Sequence, residues 1–147
     1  MISVQIKQGK LCEVRILTPV TTAEVSAMIK SIVALIQAHG TLRGIVDLRG
    51  STVFPDDLAD EIADFLRVDS PNIERSAFVA GSTSAIFNLQ LDRVIQGGKS
   101  LRRRMFRERG LAEAWMSEVL TPAENRRMRE FLNESESESA PPSRNRF

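Results

Sequence analysis

At the start of the chain, Ile2, Val4 and Ile6 alternate strictly with Ser3, Gln5 and Lys7. A period of two sends the two sets to opposite faces of a strand, so this stretch is expected to be a half-buried strand. Gln8-Gly9-Lys10 supplies a turn, and Cys12, Val14 and Ile16 take up the alternation again within 11–18, which predicts an antiparallel hairpin. The period then lengthens: Val25, Met28, Ile29, Ile32, Val33 and Ile36 recur at helical spacing. Thr21 precedes Glu24 at the spacing of a capping box, in which the hydroxyl accepts from the first turn and the carboxylate reaches back to the cap. Gly40 stands where a helix ends in a glycine C-cap.

Two short, nearly continuous apolar runs follow, RGIVDL over 43–48 and RSAFVA over 75–80, as expected of strands covered on both faces. Between them, Pro55 and Asp56-Asp57 open a helix. Leu58, Ile62, Phe65 and Leu66 share one face of it, and Asp57, Asp60, Glu61 and Asp64 face water. The segment from Ser84 to Gln96 carries Ile86, Phe87, Leu89, Leu91, Val94 and Ile95, more apolar positions than one packing stripe needs. A basic strand over 101–106, a helix over 111–120 with Trp115, and a last helix from Pro122 to about Leu132 complete the pattern. The order β-β-α-β-α-β-α-β-α predicts an α/β fold: a single, mostly parallel sheet with an N-terminal antiparallel hairpin. From Asn133 the chain reads NESESESAPPSRNRF, which buries no apolar surface. The expectation is one domain over 1–132 and a disordered acidic and proline-containing tail over 133–147.

Composition narrows the class. A chain of 147 residues is long enough for a core without staples, and its single cysteine, Cys12, rules out an internal disulfide framework. No apolar run has membrane-spanning length and the first ten residues do not resemble a signal peptide, so a cytoplasmic address is expected. A net charge of +1 gives no global field toward nucleic acid or membrane, so any electrostatic partner is recognised locally.

Few residues invite chemistry. His39 is the only histidine, has no cluster of metal-ligating neighbours, and falls in the last turn of a helix, where a cationic or polar group suits the dipole. Cys12 falls on the inward face of a strand and reads as a core thiol. Asp56, Asp57, Asp60, Glu61 and Asp64 have the spacing of a solvated helix face and not that of a calcium loop. Gly81-Ser82-Thr83-Ser84 lies between a strand and a helix but lacks the further glycines or lysine of a nucleotide loop. Gly97-Gly98-Lys99-Ser100 follows a helix instead of opening one and reads as a cap and linker. Asp47 ends a buried parallel strand, where α/β sheets place ligands, although such an aspartate also commonly bonds its own loop. Neither a cofactor nor a metal is expected.

Three segments resemble the SpoIIAA-like branch of the STAS domains, the anti-sigma-factor antagonist fold related to CRAL-TRIO lipid carriers. They are the hairpin followed by TTAEVSAMI, the strand GIVDLRG, and the closing pattern of Phe106, Ala112 and Trp115-Met116. The resemblance covers residues 2–120 and implies a non-enzymatic regulatory module that binds a protein partner, with a homodimer compatible. In STAS regulators switched by phosphorylation, an Asp-Ser-Ser-Gly-type segment follows the central strand at a helix N-terminus. The corresponding stretch here is Leu48-Arg49-Gly50-Ser51-Thr52-Val53-Phe54-Pro55, which lacks that motif but offers Ser51 and Thr52 as hydroxyls beside Asp47. An alternative function is carriage of an apolar or lipid-like ligand on the face bearing Ile86, Phe87, Leu91 and Val94. A further alternative is weak nucleic-acid or other anionic contact through Lys99, Arg102, Arg103 and Arg104 in the basic run over 99–109.

Overall fold

The strands follow one another across the sheet in chain order, and that order decides which face each helix covers. The computed structural model describes residues 1–81, 84–97 and 101–139. Its elements are β1 (Ile2–Ile6), β2 (Leu11–Ile16), α1 (Thr22–His39), β3 (Leu42–Asp47), α2 (Asp56–Asp69), β4 (Ile73–Val79), α3 (Ala85–Gly97), β5 (Arg103–Phe106), α4 (Arg109–Ser117) and α5 (Pro122–Ser139). The five strands form one sheet in the order β1-β2-β3-β4-β5. β1 runs antiparallel to β2, and the remaining pairs are parallel. This is the α/β arrangement that the alternation of periods predicts.

Parallel neighbours joined by right-handed crossovers put every crossover helix on the same side when the sheet never reverses direction. α1, α2 and α3 accordingly share one face, where Val25, Met28, Leu58, Phe65, Phe87 and Leu91 pack on Cys12, Val14, Ile16 and Phe78. The opposite face is left to α4 and α5. Ala112, Met116, Met128, Phe131 and Leu132 close it over Leu11, Ile45, Ala77 and Val79. The local signals for α1 hold in detail. Thr21 Oγ1 accepts from the Glu24 amide at 3.1 Å, Glu24 Oε1 accepts from the Thr21 amide at 3.0 Å, and the Gly40 amide donates to the Ile36 carbonyl at 2.7 Å with φ of 80°.

The burial of β2 and the end of α5 differ from the sequence pattern. β2 alternates like a half-exposed strand, yet all of its residues are buried, Glu13 and Arg15 included, because α5 lies over its polar face. α5 also continues past Leu132 to Ser139. Glu134 pairs there with Arg127 at 3.1 Å and with Arg15 at 3.8 Å, so the acidic run has cationic neighbours of its own. Residues 140–147 of the expected tail lie outside the described residues. Among the described residues no helix is long and apolar enough to cross a membrane.

Candidate functional site

The carboxyl ends of β2 and β3 hold the densest buried chemistry. Arg15 and Asp47 are register partners at the ends of these adjacent strands. Asp47 Oδ1 accepts from the backbone amide and from Nε of Arg49, each at 3.0 Å, while Oδ2 accepts from Arg49 Nη2 at 3.1 Å. Arg15 Nε stands 3.7 Å from Oδ2 on the other side. Both arginines also reach α5: Arg15 donates to the Phe131 carbonyl at 2.8 Å and Arg49 to the Leu132 carbonyl at 2.6 Å. The Arg15 guanidinium lies 4.5 Å from the centre of the Phe131 ring. Asp47 therefore ties its own loop, the neighbouring strand and the last helix together.

Two further clusters extend the clamp along the same face. Glu13 accepts a two-pronged contact from Arg127, at 2.7 Å from Nε and 2.8 Å from Nη2, which holds the Arg127 guanidinium more firmly protonated than usual. Glu124 accepts from the Lys10 amide at 2.7 Å, the Thr121 amide at 2.9 Å and Arg43 Nη1 at 2.8 Å. Burial opposes the Glu124 carboxylate, but those backbone donors and Arg43 outweigh it and leave its pKa below the ordinary value. The sequence carried a signal for this: Thr121 and Glu124 have the same capping-box spacing as Thr21 and Glu24, and the Glu124 amide donates to Thr121 Oγ1 at 3.1 Å.

The hydroxyls beside Asp47 diverge. Ser51 is buried and donates to the Ile16 carbonyl, which makes it a structural pin. Thr52 is exposed and sits against Thr18, whose Oγ1 accepts from the Thr52 amide at 2.8 Å. Cys12 is buried, and desolvation followed by the nearby Glu13 charge pushes its thiol up to about 12, far from a reactive thiolate. His39 is exposed in the last turn of α1. On α2, Asp56, Asp57, Asp60 and Asp64 are exposed and Glu61 is half-buried, and among the described residues no group of His, Cys, Asp and Glu is arranged to hold a metal.

The basic run does not form one surface. Arg102 and Arg104 are exposed, whereas Arg103 is buried against the layer of α1, α2 and α3. Arg104 turns to the opposite side, 5.5 Å from the Trp115 ring, which Arg75 also covers at 4.5 Å. A strand's alternation divides consecutive arginines in this way. Lys99 lies outside the described residues, as do Ser82, Thr83, Gly98 and Ser100. α3 divides as well. Phe87, Leu91, Val94 and Ile95 enter the core, while Ile86 and Leu89 remain 69% and 65% exposed.

Beneath α1 and α2 lies an apolar cavity of 60 Å³ bounded by Cys12, Gly44, Ile62, Phe65, Ser76 and Phe78. For comparison, a cavity of about 150 Å³ holds a benzene molecule, so an acyl chain of lipid length does not fit this one. Comparison with protein-family models and with curated proteins finds no match for the chain.

Proposed function

We propose that the chain is a non-enzymatic regulatory module of the STAS type that works by docking a protein partner through the outer side of α3. The observation that carries this reading is the pair Ile86 and Leu89. They stand three residues apart on a helix that already fills its core positions with Phe87, Leu91, Val94 and Ile95. Aliphatic side chains at this spacing are neighbours on the helix surface, and covering them releases apolar area from water. The loop that follows β3 is fastened to the same helix. Gln90 donates to the Phe54 carbonyl at 2.7 Å and accepts from the Phe54 amide at 2.9 Å. A partner seated on α3 therefore lies close to the loop that the family resemblance marks as regulatory, where Thr52 is the exposed hydroxyl and Val53 the exposed apolar residue. The Phe106 and Trp115 rings, 5.6 Å apart, are in keeping with the closing aromatic pattern of that resemblance.

A photo-crosslinking residue placed at Ile86, in cells that make the full chain, tests the reading against the same residue at exposed Lys30 on α1. A discrete heavier product is expected from position 86 alone and is expected to vanish with Leu89→Glu. A product of twice the chain's mass identifies the partner as a second copy. The same products from both positions, or none from position 86, reject the reading.

A further inference from the structure

An open sheet ends in two edge strands with unpaired backbone on their outer sides, here β1 and β5. The two edges are built differently. β5 is four residues long, and its Arg103 points inward: the side chain is 5% exposed, and Nε, Nη1 and Nη2 are buried without a hydrogen-bond partner. A short strand with an inward charge resists pairing with a further strand, because the newcomer would have to seal that charge in. β1 has none of these defences. It contains no charged residue and no proline, and it pairs with β2 residue for residue, without a bulge. Among the described residues nothing pairs with its outer edge.

Hydrogen-bond alternation decides which residues present that edge. The Leu17 amide donates to the Met1 carbonyl at 2.8 Å, and the Met1 amino group donates to the Leu17 carbonyl at 2.7 Å. Met1 and Leu17 are therefore a bonded pair, and two-residue alternation makes Ser3 with Arg15 and Gln5 with Glu13 the next two. Ile2, Val4 and Ile6 fall between these pairs and turn their N–H and C=O groups away from β2. Their side chains are half-buried at the margin of the core beneath α1. Ser3 and Gln5 take the opposite side, where Gln5 donates to Glu13 at 3.1 Å.

We propose that β1 joins two copies of this chain, edge to edge and antiparallel, about a two-fold axis at Val4. The strand is self-complementary about that residue. Val4 meets Val4 of the second copy, Ile2 meets Ile6, and Ser3 meets Gln5. The three outward-facing residues of each copy thereby exchange N–H···O=C bonds with the three of the other, and the two sheets become one. Opposed residues of an antiparallel pair share a face, so Ile2, Val4 and Ile6 of both copies merge into one apolar row and cover each other's exposed area. A second copy is the fitting occupant because the same alternation, read in reverse, matches on both faces, as an isologous contact requires. The contact shares no residue with Ile86 and Leu89, so either reading can fail while the other stands.

Sedimentation of the full chain over a range of concentrations tests the contact. A species of twice the chain's mass is expected. Val4→Pro removes an outward N–H that has no target within its own copy, and should weaken the dimer at least tenfold. Ser3→Lys combined with Gln5→Lys sets like charges opposite each other across the axis and should weaken it at least tenfold as well. Ser3→Glu combined with Gln5→Lys sets opposite charges there and should restore it. A monomer at every concentration, or an assembly of any other mass, overturns the assignment. So does a dimer that is indifferent to both charge pairs, or one that dissociates with Leu89→Glu instead, which places the contact on α3. If Val4→Pro does not fold, the two charge pairs decide the question by themselves.

Discussion

Glu124 accepts from two backbone amides and a guanidinium at once, which joins the first hairpin, β3 and the start of α5 through one carboxylate. Gly9 makes the approach feasible. Its φ of 57° suits the turn, and a Cβ there would stand 2.5 Å from Glu124 Oε2. The pH consequence follows from the direction of the shift. The folded Glu124 pKa lies below its ordinary 4.5, so its contribution is fully present above that value and is lost as pH falls through the folded pKa. Glu124→Gln should lower stability at neutral pH by about 1–3 kcal/mol, because Arg43 loses a charged partner. It should also flatten the acid limb of the stability curve below pH 4.5 relative to wild type. Urea denaturation as a function of pH checks both, and an unchanged acid limb would contradict the assignment.

α5 is held differently from the other helices. Its sequence is largely charged, and Met128, Phe131 and Leu132 are the apolar residues it sends into the core. Charged contacts must therefore place it: Arg127 on Glu13, Glu124 on Arg43, and two carbonyls near its middle on Arg15 and Arg49. Buried pairs of this kind add little over a well-packed apolar pair, but breaking one leaves an uncompensated charge. Arg127→Ala strands Glu13, which has no exposed surface, and should cost about 3–5 kcal/mol in denaturant unfolding. Replacing both partners, Glu13→Leu with Arg127→Met, should recover most of that loss. A double variant no more stable than Arg127→Ala would show that packing alone, and not the stranded charge, sets the cost.

At the scale of the whole molecule, the sheet is a wall with helices supplied from two different parts of the chain. The crossover helices cover one side as the parallel strands are laid down, whereas the other side waits for α4 and α5. Ending the chain at Leu120 would uncover Leu11, Ile45 and Val79 and take Arg127 away from Glu13 and Glu124 away from Arg43. Such a truncation should keep far-ultraviolet helical and strand signal, lose the near-ultraviolet signal of Trp115, and bind a dye for exposed apolar surface. A truncated chain that unfolds cooperatively with a native near-ultraviolet spectrum would show that α5 is an appendage.

Short-range pattern was enough for the elements, their order and the caps of α1, because periodicity, Thr21 with Glu24, and Gly40 act over a few residues. Chain order together with crossover handedness then left little freedom in the sheet. Of the candidate residues, Asp47 was visible as the end of β3 and Ser51 as part of the loop after it, but their partners were not. Arg15 meets Phe131 across a separation of 116 residues and Arg127 meets Glu13 across 114, distances at which no local pattern carries information. The same holds for α3, whose surplus of apolar residues could be counted while only packing separates Phe87 from Ile86. It holds for the basic run too, where alternation divides the arginines but only the helices above β5 bury Arg103. Local spacing determined what each segment is. Tertiary packing decided which face is wet, how far α5 continues and which charges are paired, because burial and ion pairing depend on neighbours that the chain brings back from far away.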